Sequence, residues 1–134
     1  VEAEQLSLLT QNTINLIVLA RYMQVLSDNF TRQFPFKIIN VHHSFLPAFV
    51  GANPYDQAYE KGVKLIGATS HYVTHVLDDG PIIAQQVIAV SHKDSLASFI
   101  QKGKELEKQV LAEAVKKQTE HKILIFKNRT VVFD

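Results

Sequence analysis

A nearly continuous apolar and largely branched run, Ile14-Asn15-Leu16-Ile17-Val18-Leu19-Ala20, is followed by a second, Lys37-Ile38-Ile39-Asn40-Val41-His42. Runs of this kind belong to strands covered on both faces, the pattern of a parallel sheet interior. Between them Ser27 can cap a short helix through about Gln33, its hydroxyl accepting from an exposed first-turn amide, and Pro35 ends that helix. Strand, helix and strand in this order predict two parallel strands joined by a crossover. The fold class expected is therefore α/β, with a mixed, mostly parallel sheet flanked by helices.

The remaining segments fill in that plan. Leu6 to Asn12 has the apolar spacing of a short helix approaching the sheet. Pro54 suits the first turn of a helix through about Gly62, with Tyr55, Ala58 and Tyr59 on one side. Val63 to Val73 predicts a third strand, in which Gly67 marks a bulge or a close backbone approach. Asp78-Asp79-Gly80-Pro81 turns the chain into a fourth strand, Ile82 to Val90, so strands three and four form a hairpin. Asp94 or Ser95 can cap the longest helix, through about Gln118, on the recurrence of Leu96, Phe99, Ile100, Gly103, Leu106, Val110, Leu111 and Ala114. Lys122 to Phe126 and Thr130 to Phe133 read as a small closing hairpin around Lys127-Asn128-Arg129.

Composition removes several classes of function. The 134 residues are about one domain long, and 46% hydrophobic with 20% charged residues is ordinary for a globular chain. A formal net charge of +1, with both signs mixed along the chain, gives no field to draw in nucleic acid or anionic lipid, so neither is expected as a partner. The absence of cysteine excludes disulfides, thiolate metal sites and a cysteine nucleophile, and agrees with a reducing cytoplasm. No run approaches the roughly 20 apolar residues that span a bilayer, and Val1-Glu2-Ala3-Glu4-Gln5 lacks the basic head and apolar core of a signal peptide. Valine in place of an initial methionine leads us to expect a fragment or a processed chain.

The chemistry gathers where the second and third strands end. Side chains alternate along a strand, so Asn40 and His42 point to one side, about 7 Å apart. An amide there can donate to a developing oxyanion while an imidazole moves a proton. The same residue types at a strand end also serve simply to satisfy backbone groups. Asp78 can act as a base, orient water or keep a histidine charged, and Asp79 offers the same group, although Asp-Asp-Gly-Pro taken alone reads first as a turn. His71 and His75 are four apart, which aligns metal ligands on a helix but not on a strand, and no metal is expected. No Gly-rich dinucleotide or phosphate loop is present, and Ser44 lacks the Gly-x-Ser-x-Gly elbow.

Taken together, Asn40-Val41-His42-His43-Ser44-Phe45-Leu46-Pro47, Gly51-Ala52-Asn53-Pro54-Tyr55, Gly67-Ala68-Thr69-Ser70-His71-Tyr72-Val73 and Leu77-Asp78-Asp79-Gly80-Pro81-Ile82-Ile83 resemble the formyltransferase-fold family. That family includes folate-dependent formyltransferases and a deformylase branch. The doubled histidine at 42 and 43, the Gly51 to Tyr55 segment, Ser91-His92-Lys93-Asp94-Ser95 and the ending Asn128-Arg129-Thr130-Val131-Val132-Phe133 are most similar to the deformylase branch. The resemblance runs from about Leu16 to the C-terminus. Members of that branch carry an ACT-like domain and an earlier part of the catalytic domain. The chain is therefore expected to be the C-terminal part of a formyltransferase-like catalytic domain.

The resemblance implies hydrolysis of 10-formyltetrahydrofolate to formate and tetrahydrofolate, supplying formate for purine synthesis in the cytoplasm, with no cofactor beyond the folate substrate. Asn40 would polarise the formyl oxygen, His42 would stabilise the tetrahedral intermediate and assist proton transfer, and Asp78 would orient the water or the histidine. Thr69 and His71 would support them. The folate ring would lie against Tyr22, Met23, Gln24, Val25 and Leu26 and the loop Thr74, His75, Val76 and Leu77. Formyl transfer to an amine would use the same residues, and a folate-binding chain without catalysis is the reading from another class. An apolar edge left without neighbouring strands would favour a homo-oligomer.

Overall fold

The computed structural model describes residues 1–20, 22, 25–43, 53–76 and 79–134. Met23, Gln24, Leu77, Asp78 and most of the loop expected between His43 and Pro54 lie outside the described residues. Ten elements follow in order: α1 (Glu2–Gln11), β1 (Ile17–Leu19), α2 (Asp28–Gln33), β2 (Ile38–His42), α3 (Pro54–Lys61), β3 (Leu65–Tyr72), β4 (Ile82–Ala89), α4 (Leu96–Thr119), β5 (Ile123–Phe126) and β6 (Arg129–Val132).

One sheet has the order β1-β2-β3-β4, and β5 and β6 form a separate two-stranded sheet. β1 pairs parallel with β2 through the α2 crossover, whereas β3 is antiparallel to both β2 and β4. Three of the four strands thus point the same way. The sheet is mixed, as expected, and β3 alone runs against its neighbours. Only residues 73–81 join β3 to β4, too few for the crossover that a parallel pair would need.

Local chemistry explains where the helices begin. Ser27 Oγ accepts from the Phe30 amide at 3.2 Å, and Ser95 Oγ accepts from the Ser98 amide at 3.1 Å, each satisfying a donor that the first turn leaves open. Ahead of α4, Asp94 takes Ser98 Oγ at 2.7 Å and Lys102 Nζ at 2.8 Å. Pro54 sits in the first turn of α3, and Gly62 closes it at a φ of 74°, where a side chain would be strained.

Two expectations are corrected. The apolar run from Ile14 to Ala20 yields a strand only over Ile17–Leu19, because β2 offers partners only to those three residues. The irregularity foreseen at Gly67 lies instead between Ser70 and His71, while Gly67 pairs regularly with Val87. The shift skips Ile83 in the ladder, and both Ile83 and Ala84 are buried.

Apolar clusters cover both faces of the sheet. On one, Ile38 packs with Leu6 of α1, Leu26, and Phe30 and Phe34 around α2. On the other, α4 sets Phe99, Leu106 and Val110 against Ile66, Ala68, Ala84 and Val90, and Ala114 against Ile39, Tyr72 and Ile83. At about 25 cal/mol per Å², burial of this kind is the main force holding helices to the sheet. The β5-β6 hairpin covers one end, tied down by Asn128 Nδ2 donating to the Asp79 carbonyl at 2.8 Å and Thr130 Oγ1 to the Ile82 carbonyl at 2.6 Å. Among the described residues no helix is long and apolar enough to cross a membrane.

Candidate active site

The register of β2 against β3 assembles the site. Asn40 lies opposite His71 and His42 opposite Thr69, and Thr69 in turn lies opposite Gln85 on β4. Directly paired residues of an antiparallel ladder share a face, so these side chains converge on one side of the sheet. It is the side of Ile38, two positions before Asn40, and therefore the face that α1 and α2 cover further down the strand. Asn40 and His42 emerge past that cover at the carboxyl end of β2, where both are half-buried.

Thr69 and His71 flank Asn40 and His42 from β3. Thr69 has 0% exposure and His71 2%. His71 Nδ1 stands 3.0 Å from the Tyr72 carbonyl. A carbonyl only accepts, so this contact requires the proton on Nδ1 and leaves Nε2 of the neutral ring as an acceptor. Nε2 is buried with no hydrogen-bond partner among the described residues. A bare acceptor in that position is costly to a fold and useful to a site that must receive a donor.

Of the segments expected to border a ligand, Tyr22 packs against the cluster of Leu26, Phe30 and Ile38, and so does Val73, the residue before Thr74. Leu26 is a core residue, so its side chain is committed to packing, whereas Val25 is exposed. Thr74 Oγ1 accepts from the Val76 amide at 3.3 Å and so shapes the second loop. His75 is exposed. Met23, Gln24, Leu77 and Asp78 were expected here and lie outside the described residues.

Two features escape a reading by sequence motif. Gln85 Nε2 donates to Thr69 Oγ1 at 3.0 Å, adding a residue from β4 to the row His42-Thr69. No signal in the sequence gives this pairing, because the register shift between Ser70 and His71 stands between it and the turn. His43, beside the expected His42, stacks on it, with ring centroids 5.1 Å apart and planes 20° apart.

The register places an amide, an imidazole and a hydroxyl on one face of neighbouring strands, residue types able to hold a polarised carbonyl and pass a proton. Among the described residues no group of three or more His, Asp or Glu side chains gathers to hold a metal. A groove of about 540 Å³ between β4 and α4, lined in part by Gln86, Ile88, Lys102 and Leu106, contains none of the expected site residues.

The formyl transferase family pattern matches residues 1–115. The chain is 58% identical over 132 residues to the formyltetrahydrofolate deformylase of Synechocystis sp., covering 98% of this chain and 46% of that protein. The Bacillus subtilis formyltetrahydrofolate deformylase is 54% identical over 134 residues, all of this chain and 45% of the relative. Among solved structures, a formyltetrahydrofolate deformylase from Pseudomonas syringae superposes with a TM-score of 0.93 at 51% identity, over 98% of this chain and 44% of that one. A glycinamide ribonucleotide transformylase from Symbiobacterium toebii superposes with a TM-score of 0.89 at 33% identity, over 98% and 62%. The chain spans under half the length of the curated relatives it matches.

Proposed function

The chain belongs to the formyl transferase family, and from that premise we propose that it carries the reacting residues of a formyltetrahydrofolate deformylase, as the C-terminal part of its catalytic domain. The reaction is hydrolysis of 10-formyltetrahydrofolate, at a linear amide-type C–N bond, to formate and tetrahydrofolate. The observation that carries this reading is the convergence of Asn40 and His42, at the carboxyl end of β2, over Thr69 and His71.

Hydrolysis asks three things of the site. Water must attack the formyl carbon, negative charge must be held on its oxygen, and a proton must reach the folate nitrogen as it leaves. The Asn40 amide donates to the formyl oxygen and strengthens that bond as charge develops. His42 stabilises the intermediate and delivers the proton. Asp78 orients the water or the histidine, with Thr69 and His71 behind the pair. The flat folate ring lies between the stretches 22–26 and 74–77. No cofactor beyond the folate takes part, the released formate feeds purine synthesis, and the setting is the cytoplasm.

The test is formate release from 10-formyltetrahydrofolate with no amine present. Release supports hydrolysis, and strict dependence on an added amine would assign the chain to formyl transfer, the reading that the likeness to the transformylase supports. Calorimetry with a stable folate analogue distinguishes a third outcome, in which the chain binds the ring without turning it over. Absence of binding would remove the folate readings altogether.

A further inference from the structure

His43 and Tyr55 lie outside the roles described above, yet they stand in a column with His42. The His43 ring is nearly parallel to that of His42 at 5.1 Å, and it also meets the Tyr55 ring at 6.1 Å and 51°. Consecutive side chains of a strand point to opposite faces, so this contact exists only because the chain bends at His43 on leaving β2.

The outer end of the column is anchored twice on α4. The Tyr55 hydroxyl donates to the Glu107 carboxylate. Its ring fills the space above Gly103, where an added Cβ would stand 2.1 Å from Tyr55 Cε1. The helix thus gives up a side chain at position 103 to seat the tyrosine, and the tyrosine backs His43.

We propose that His43 and Tyr55 are positioning residues that set the plane of the His42 imidazole. The proposal rests on the deformylase reading. The terminal torsion of a histidine is broad, so the direction of the ring nitrogens depends on what packs against the ring. Proton transfer needs one of them aligned with the reacting group. A nearly parallel ring against one face, itself in contact with Tyr55, narrows that torsion.

The experiment compares the chain with His43→Leu, which removes the planar ring, and His43→Phe, which keeps the ring and deletes its nitrogens. The readout is the pair of carbon-bound proton resonances of the His42 ring, which feel the ring current of a stacked neighbour. They should move toward the free-imidazole position in His43→Leu and stay near their original place in His43→Phe. Turnover should follow, with kcat lower by about tenfold in His43→Leu, KM within about twofold, and most of the loss restored in His43→Phe.

Tyr55→Leu and Gly103→Ala attack the same column from its far end, and should shift the His42 resonances with His43 intact. Unmoved resonances in His43→Leu, or a phenylalanine variant no better than the leucine variant, would overturn the proposal. If the unaltered chain releases no formate, the deformylase reading fails, while the ring resonances still decide whether the column holds His42.

Discussion

Asn40 faces His71 directly across the β2-β3 ladder, so the residue proposed to hold the formyl oxygen rests against an imidazole that is itself buried. Asn40→Ala should lower kcat by roughly 10²- to 10³-fold, the effect of deleting one oxyanion donor. Asn40→Asp is the sharper variant, because it exchanges a donor for a carboxylate that repels the developing charge. It should be at least as impaired as Asn40→Ala. An aspartate variant with near-normal formate release would show that position 40 does not face the reacting oxygen.

His71 makes a different prediction because its burial and its bonding disagree. One ring nitrogen reaches the Tyr72 carbonyl, while Nε2 is enclosed without a partner among the described residues. Replacing the ring by an apolar side chain removes one bond worth about 0.5–1.5 kcal/mol and one unsatisfied acceptor costing about 1–3 kcal/mol. His71→Leu should therefore melt at or above the temperature of the parent chain while losing turnover, the mark of a residue kept for a site at the expense of the fold. Thermal melts and formate release measured on the same preparations check this. A melting temperature lowered by several degrees would make His71 a structural residue.

These two residues also show what a sequence can and cannot disclose. Ser27, Pro54, Gly62 and Ser95 were legible because capping is decided within one helical turn. The alternation that puts Asn40 and His42 on one side is equally local. The pairing of Asn40 with His71 is not, since it depends on the register between strands far apart in the chain. The shift at Ser70 and His71 depends on the same register, and Gly67 does not mark it because a missing side chain permits a bulge without requiring one. Gln85 joined the site only once the β3-β4 register fixed its partner. Likewise, nothing in a doubled histidine tells that the second ring lies on the first.

Gly80 ties the end of the site to the sheet. A Cβ at this position would stand 1.7 Å from the Tyr72 carbonyl oxygen, and that oxygen belongs to strand backbone rather than to a side chain able to swing away. The close approach goes with the bond from the Tyr72 amide to the Pro81 carbonyl at 2.9 Å, which closes the β3-β4 turn. Gly80→Ala should destabilise the chain by about 1–3 kcal/mol or more, as overpacking against fixed atoms does. Urea denaturation measures it, and an unchanged midpoint would contradict the close approach. Gly62→Ala, where no atom lies within 4 Å but φ is 74°, measures the cost of left-handed backbone strain without a clash and so separates the two effects.

Tyr72 gives a prediction that depends on pH. Its side chain is 1% exposed, its hydroxyl donates to the Gln118 side chain on α4, and burial pushes its pKa up from 10.0 to about 12. The native state therefore holds the phenol proton over a range in which the unfolded chain has already released it. Stability from this group is complete below pH 10 and declines between pH 10 and about 12, by about 1.4 kcal/mol per unit at the steepest. Tyr72→Phe removes the titration together with the bond to Gln118. At pH 8 the variant should be less stable than the parent by about 0.5–1.5 kcal/mol, the usual worth of such a bond. As the pH rises through 11 the difference should shrink and then reverse, because only the parent loses stability through the phenol. Other groups that titrate in the same range act on both chains and cancel in the comparison. Urea midpoints for the two proteins at pH 8, 10 and 11 decide the matter, and two curves that stay parallel would mean that Tyr72 ionises as easily folded as unfolded.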